Sequence, residues 1–333
     1  MERRELIARV TFVFILVGLP ILVLAYQYGL RPLLASTRSI DIDAMIPESG
    51  GFSPDAIRVE AGQPFTLRFS ASDVTHGVAI GPGLDIDFGP IDPGTVKEAT
   101  LTIDQPGRYT FYCNTWCSPN HWRMRGVIDV ADPANPDNLP ALQPDPVIQA
   151  LQDEAIDIDA PRESHSLFAD LVPSVQRGAA LSQHVTIPPE LRNRDWRQRH
   201  TPVEALDILA DMNPDMAQVS LADVVTYLWS EDRLPGDQYA ETAVRYNQNC
   251  AACHGQAGSG DGPAAALAVV EPVAFSDPGY MFTMRSDVLY AKIRRGGMGT
   301  DMPNFGTLFT PEETWALVDY LWTLALETDE PAQ

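Results

Sequence analysis

Four cysteines occur in the 333 residues of the chain, and they fall into two tight pairs, Cys113 with Cys117 and Cys250 with Cys253. None is left over to staple distant parts of the fold, so the pairs mark local sites and ordinary hydrophobic cores must hold the rest. Each pair sits in a string of other metal-binding side chains. The first string reads Cys113-Asn-Thr-Trp-Cys117-Ser-Pro-Asn-His121-Trp-Arg-Met124, and His76 lies upstream in Asp73-Val-Thr-His76-Gly77. The second reads Cys250-Ala-Ala-Cys253-His254 and runs into a glycine-rich stretch at residues 258–262.

The surroundings of the two strings differ in character, and a chain of this length has room for two or three domains. Around the first string, short runs rich in Val, Ile, Thr, Phe and Tyr alternate with Gly and Pro turns. Ile57–Glu60, Phe65–Ser70, Glu98–Ile103, Arg108–Cys113 and Gly126–Val130 are the clearest expected strands. Polar and apolar residues alternate in Thr66–Phe69 and Arg108–Phe111, as in half-buried sandwich strands. The expectation is an all-β Greek-key sandwich over residues 37–131. Around the second string, residues 237–327 read as an all-α domain built about a glycine-rich loop. The stretch 132–147 holds Pro133, Pro136, Pro140, Pro144 and Pro146, which makes a semi-rigid linker.

Residues 148–236 read as helical. Ser220-Leu-Ala-Asp223 resembles a capped helix start and leads to Tyr227-Leu-Trp229, much as Thr310-Pro-Glu-Glu313 leads to Tyr320-Leu-Trp322. Two readings stand side by side: a degenerate duplicate of the C-terminal domain that lacks its cysteine string, or an unrelated helical spacer. His165, His184 and His200 lie here and receive no role. Residues 328–333 are a tail.

At the other end, Val10 to Leu30 is almost wholly apolar, with no charge before Arg31. About 20 such residues cross a bilayer as a helix, and a membrane helix tolerates the mid-span Pro20. A cleaved signal is the competing reading, with Arg3, Arg4 and Arg9 as its basic start. The run is long for a signal and lacks a good cleavage site, so residues 1–36 are expected to be a retained N-terminal membrane anchor. The formal charge of −22, from 45 acidic against 23 basic residues, argues against nucleic acid as a partner.

Thiolate, thioether and imidazole donors together suit copper, since soft sulfur favours Cu(I). A single-copper site needs one cysteine, and this string has two, four positions apart, so both thiolates can bridge two metals. His76 and His121 would each cap one copper and Met124 would complete one side. A zinc cage is the alternative, but finger spacing is absent and a thioether is a poor zinc ligand. In the second string, two thiols followed at once by a histidine form the covalent attachment sequence for a c-type haem, with His254 as proximal ligand. Met298 and Met302 are candidates for the opposite ligand. Met302 is preferred because Pro303 follows it and holds the loop extended; His/Met ligation leaves no open position for chemistry.

The stretch from about 50 to 130 resembles the CuA domain of subunit II of haem–copper oxidases. The resemblance rests on Gly51-Phe-Ser-Pro54, Asp73-Val-Thr-His76-Gly77, Pro106-Gly-Arg-Tyr109 and the Cys-x3-Cys-x3-His-x2-Met loop. It is nearest to the B-family, whose subunit II has one membrane helix. It implies a dinuclear copper centre held by His76, Cys113, Cys117, His121 and Met124, with the Thr115 carbonyl as a further ligand. Ser118 departs from the glycine usual in the family. Residues 238–327 resemble class I cytochrome c, including Tyr246 before the attachment string and Met302-Pro303 late in the domain.

Together the resemblances imply the electron-transfer subunit of a terminal respiratory oxidase. Electrons would pass from haem c to the copper centre and on to a polytopic haem–copper catalytic subunit I, where oxygen is reduced. The donor would be a cytochrome c or a quinol-oxidising complex, and the acidic excess reads either as a docking face for a basic donor or as a solvated surface. Covalent haem attachment occurs outside the cytoplasm, which places both metal domains on the periplasmic side of a bacterial inner membrane and the N-terminus inside. The corresponding subunit of a CuA-containing nitric oxide reductase and a copper-delivery or sensing protein are the alternatives. No catalytic acid, base or nucleophile is assigned.

Overall fold

The computed structural model describes residues 11–25, 38–84, 86–118, 120–137, 144–161, 164–168, 172–232 and 234–326. Residues 11–25 are helical, π-helical over Phe14–Gly18 and α-helical over Leu19–Ala25 (α1). Every large apolar side chain from Phe12 to Leu24 is at least 50% exposed. No helix among the described residues is long and apolar enough to cross a membrane. Residues 1–10 and 26–36 of the expected anchor lie outside the described residues, as does the tail.

Two sheets then pack face to face. Their strands are β1 (Arg38–Ala44), β2 (Phe52–Ser53), β3 (Ala56–Glu60), β4 (Phe65–Ala71), β5 (His76–Gly81), β6 (Ile86–Ile91), β7 (Val96–Leu101), β8 (Gly107–Tyr112) and β9 (Arg125–Ala131). One sheet has the order β2-β1-β4-β7 and the other β3-β9-β8-β5-β6. The pairs β1/β4 and β3/β9 are parallel and the remainder antiparallel. Alternation decides which face goes inward: in β4 Phe65, Leu67, Phe69 and Ala71 are buried while the residues between them are half-buried. Phe52, Phe69 and Phe111 meet across the core, with Phe52 edge-on to both partners at centroid distances of 6.0 and 5.0 Å. The five expected strands all form, within a residue or two of their expected ends. Strands β1, β2, β5 and β6 were not among them, and His76, expected between strand and loop, opens β5.

The remaining helices are α2 (Pro146–Asp153), α3 (Val175–Leu181), α4 (Arg194–Arg199), α5 (Pro202–Met212), α6 (Gln218–Ser230), α7 (Gly236–Asn249), α8 (Ala251–His254), α9 (Pro278–Met281), α10 (Ser286–Arg295) and α11 (Pro311–Ala325). The expected linker is shorter than its 132–147 span: Asp145 caps α2 by accepting from the amides of Val147 and Ile148, and helix begins at Pro146. The same carboxylate accepts from Tyr290 Oη at 3.0 Å and Arg294 Nε at 2.9 Å, which ties α2 to α10.

Residues 148–236 do not pack as a separate body. Leu206, Val225 and Leu228 share one hydrophobic core with Tyr246, Leu289 and Leu321. The expected cap at Ser220–Asp223 is incorrect: the helix starts at Gln218 after Ala217, with no side-chain cap, and these residues lie inside it. Asp223 is buried there, where it accepts from the Ser174 amide at 2.7 Å and from Arg177 Nε at 2.8 Å. The capping boxes are Thr201/Glu204 before α5 and Thr310/Glu313 before α11. Trp229 of α6 meets Trp322 of α11 edge to face at 6.3 Å.

Candidate copper and haem sites

The first cysteine string bridges two strands. Strand β8 ends at Tyr112 and β9 starts at Arg125, so the ligand loop is residues 113–124. Its neck is closed by the Cys113 amide donating to the Met124 carbonyl at 3.0 Å. A short 3-10 turn, His121–Arg123, folds the loop back so that His121 points inward. His76 arrives from the start of β5, which pairs with β8.

These placements bring together five side chains. Cys113 Sγ lies 3.9 Å from His76 Nδ1, and Cys117 Sγ lies 3.9 Å from both His121 Nδ1 and Met124 Sδ. The ligand atoms of His76, Cys113 and Cys117 all fall within 4.8 Å of one another. Cys113 Sγ is 3.1 Å from the Thr115 carbonyl oxygen, so that backbone group also faces the cluster. His76, Cys113, His121 and Met124 are each no more than 5% exposed. The donor set fits copper: two sulfurs central, one imidazole beside each, a thioether on one side and a carbonyl on the other. A zinc cage leaves the buried Met124 sulfur unexplained.

Asp73, which the sequence reading quoted but gave no role, positions His76. Its carboxylate accepts from the Ile46 and Val74 amides at 2.6 and 2.7 Å and bonds His76 Nε2 at 2.8 Å. That bond orients the ring and turns Nδ1 toward the sulfurs, the usual work of a partner behind a metal-binding histidine. Burial opposes charge on Asp73, but the bonds it accepts outweigh burial and lower its pKa. Burial likewise opposes charge on His76, and its bonds to Cys113 and Asp73 raise its pKa regardless. The Cys113 thiol is held well below its ordinary value, first by its hydrogen bond with Cys117, and Cys117 is pushed up by the same bond. One of the two sulfurs is therefore readily a thiolate, the form that binds metal. The signal for Asp73 was its position three residues before His76.

The second string folds as the single turn α8, immediately after α7. The loop that follows wraps back over it: the amides of Gly260, Gly262 and Ala264 donate to the carbonyls of His254, Cys253 and Ala252. Gly262 lies so close that a Cβ there would stand 2.4 Å from the carbonyl oxygens of Ala251 and Ala252. Tyr246, fully buried, donates from its hydroxyl to the Gly255 carbonyl at 2.8 Å. His254 stacks on Phe275 at 4.5 Å, and its Nδ1 lies 3.1 Å from the Val273 carbonyl. With Nδ1–H given to that carbonyl, Nε2 keeps its lone pair for a metal. Burial lowers the His254 pKa, which keeps the ring neutral, and pushes Cys250 up to about 12.

These residues fit a covalently bound haem. Both thiols are free, the histidine presents one nitrogen, and Leu267, Val269, Val270 and Val273 around the attachment turn are exposed apolar side chains suited to a porphyrin. Met302 packs against the helical core, while Met298 is 71% exposed and its sulfur accepts from Arg295 Nη1 at 3.6 Å. That difference favours Met302 as the opposite ligand.

The copper loop and the end of β5 meet the 304–308 segment across a tight seam. Arg125, next to Met124, donates from Nη1 to the Asn304 carbonyl at 2.5 Å and from Nε to the Trp122 carbonyl at 3.1 Å. Its guanidinium lies 5.4 Å from the centroid of the Phe305 ring. At the end of β5, a Cβ on Gly81 would stand 2.1 Å from the Leu308 carbonyl oxygen.

Comparison with known proteins matches two segments of the chain. Residues 30–128 match the cupredoxin-like domain family, and residues 237–321 match the family described as cytochrome c oxidase, cbb3-type, subunit III. Among solved structures, a haem–copper terminal oxidase studied as a dimer aligns over 39% of this chain and 99% of its own, at 20% identity and a TM-score of 0.26. The periplasmic domain of cytochrome oxidase subunit II from Bradyrhizobium japonicum aligns over 29% and 86%, at 16% identity and 0.24. Auracyanin from Roseiflexus castenholzii aligns over 29% and 98%, at 21% identity and 0.24. The chain therefore joins a cupredoxin-like domain, whose loop gathers the sulfur and imidazole donors, to a cbb3-type cytochrome c domain in one polypeptide.

Proposed function

We propose that this chain is the electron-transfer subunit II of a terminal respiratory haem–copper oxidase, with a dinuclear CuA centre and one covalent haem c. The observation that carries the reading is the gathering of two sulfurs, two imidazoles, a thioether and a carbonyl at the seam with the cytochrome domain. When bound, the two groups supply one-electron carriers. The protein's part is to hold the donors rigid. The sheets fix the neck of the ligand loop, Asp73 fixes His76, and the wrapped loop at 258–264 fixes the turn that carries His254. Burial of the donors excludes water, and donors held rigid by the sheets and hydrogen bonds would suit one-electron transfer by the bound groups over catalysis on a bound substrate.

The remaining parts of the reading follow from this one. The partner is a polytopic catalytic subunit that reduces oxygen, and the donor is a cytochrome c or a quinol-oxidising complex. The exposed apolar helix at residues 11–25 belongs to a longer apolar run, which supports a single N-terminal anchor with the metal domains on the periplasmic side. Residues 148–236 read as a degenerate, haem-less relative of the cytochrome domain, with an unrelated helical spacer as the alternative. In support, each half ends in a helix bearing a Tyr-Leu-Trp triplet, and the two tryptophans meet.

Metal analysis with paired optical and paramagnetic spectroscopy of the purified chain tests the proposal. The expected result is two coppers and one haem iron per chain, a paramagnetic signal from one unpaired electron shared equally by both coppers, and a low-spin His/Met haem spectrum. A single-copper hyperfine pattern, or zinc in place of copper, would overturn it.

A further inference from the structure

Arg125 belongs to neither ligand set, yet it touches the residues that flank both. On the copper side it follows Met124 in the chain and its Nε donates to Trp122 within the ligand loop. On the haem side its Nη1 donates to the Asn304 carbonyl at 2.5 Å and approaches Asn304 Oδ1 at 3.4 Å, and Asn304 is joined through Pro303 to Met302. Its guanidinium carbon lies over the Phe305 ring, 5.4 Å from the centroid. We propose that Arg125 is a positioning residue that sets the register of the haem domain on the copper loop and closes a bonded route between the two centres. The route runs Met124–Arg125, across one hydrogen bond, then Asn304–Pro303–Met302. The proposal rests on the reading of the two strings as copper and haem sites.

The side chain chosen fits this task. The fixed fork of a guanidinium donates in two directions at once and stacks its plane on an aromatic ring, which an ammonium on a flexible stem cannot do together. Electronic coupling falls more steeply across a van der Waals gap than along covalent and hydrogen bonds, so the single bond to Asn304 replaces a jump through space. The acceptor is a backbone carbonyl, which ties the register to the main chain of the Met302 loop. Gly81 completes the seam: without a side chain there, β5 closes against Leu308.

The test uses the full chain loaded with both metals. One electron is delivered to the haem by a light-triggered donor and its passage to copper is followed optically. R125M is expected to slow the internal transfer at least several-fold, because it removes the hydrogen-bonded link and loosens the seam that holds the two loops together. The optical and paramagnetic spectra of both centres should stay as in the parent. R125K should recover only part of the rate. G81A, which pushes on Leu308 and leaves Arg125 in place, should slow transfer as well, and it serves if R125M does not fold. In the metal-free chain, hydrogen exchange should rise together in residues 120–126 and 302–309 of R125M. A loaded R125M with unchanged spectra and an unchanged rate would overturn this proposal and leave the copper and haem reading standing. A parent chain that takes up no copper pair or no haem would overturn both.

Discussion

Gly262 offers the sharpest test of how the haem-attachment turn is built. A Cβ at this position meets the Ala251 and Ala252 carbonyl oxygens at 2.4 Å and the Ala252 carbonyl carbon at 2.6 Å. All three are backbone atoms, so no side chain can swing away. Non-bonded contact needs a separation of about 3.5 Å, so Gly262→Ala must open the gap between loop and turn by about 1 Å. Two loop-to-turn bonds span that gap, Gly262 N to Cys253 O at 3.1 Å and Ala264 N to Ala252 O at 2.8 Å. Losing both costs about 1–3 kcal/mol and the overpacking a further ~1–3 kcal/mol, so the expected loss is about 2–6 kcal/mol. For a helical unit of this size that is a fall of roughly 5–20 °C in melting temperature. The assay is thermal unfolding of the metal-free chain, with haem content of the expressed protein measured alongside. Haem content should fall too, because Cys253 and His254 ride on the displaced turn. Gly236→Ala is the control. Nothing lies within 4 Å of its added carbon and the position opens α7, so it should be neutral or slightly stabilising. A G262A chain that melts within about 1 °C of the parent and binds a full complement of haem would refute the reasoning.

Other substitutions separate neighbouring roles. Met302→Leu should abolish the methionine-to-iron charge-transfer band and lower the haem potential, whereas Met298→Leu should leave both unchanged; equal effects would discard the assignment. Cys117→Ser should convert the shared-electron copper signal to a single-copper pattern or remove copper, read by paramagnetic resonance. Asp223→Ala leaves the buried Ser174 amide without its acceptor while Arg177 is rehydrated, so about 1–3 kcal/mol should be lost in a denaturant titration. Asp319 is pushed by burial up to about 6 although Arg194 pairs with it at 2.7 Å. A carboxyl whose folded value exceeds its unfolded value holds its proton longer in the native state. Stability should therefore fall by up to about 3 kcal/mol as pH rises from about 4 through about 6. Melts across that range should flatten in Asp319→Asn, and a parent curve rising over the same range would contradict the burial argument.

The convergence of the candidate copper donors was legible because its information is local. Four of the five side-chain donors lie within twelve residues, and only His76 comes from elsewhere. The hairpin of β8 and β9 then needs only to close the loop's neck for the donors to converge. The attachment turn at Cys250–His254 was legible for the same reason. Elements whose partners decide them were harder. Strand β1 is specified by its register against β4, where Ile40 faces Leu67 and Ile42 faces Phe69, and its own sequence, Arg38–Ala44, carries three charges in seven residues. Ser220–Asp223 imitates a cap in sequence, but a carboxylate inside a helix is permitted once Arg177 and the Ser174 amide reach it from α3. Asp73 was visible three residues before His76, yet its role depends on the Ile46 amide, which the sandwich brings in from a different turn.

The seam is the part that no string announces, and its physical character says what it is for. Two domains joined through a proline-rich segment have, by default, freedom to move relative to each other. Here that freedom is removed at two points: Gly81 lets β5 close on the Leu308 carbonyl, and Arg125, held by the Trp122 carbonyl on its own side, donates across to Asn304. A flexible tether would suffice if the haem domain had only to capture electrons and release them to any acceptor. On the proposed reading, a fixed seam between the copper loop and the Met302 loop would serve a single pair of centres at a constant separation. Transfer between them should then be first order, with a rate independent of protein concentration and nearly insensitive to ionic strength. Stopped-flow or flash measurements over a range of salt decide the matter, because a domain that docks and undocks through charge would slow steeply as salt screens it. A strong salt dependence of the internal step would mean that the seam opens in solution.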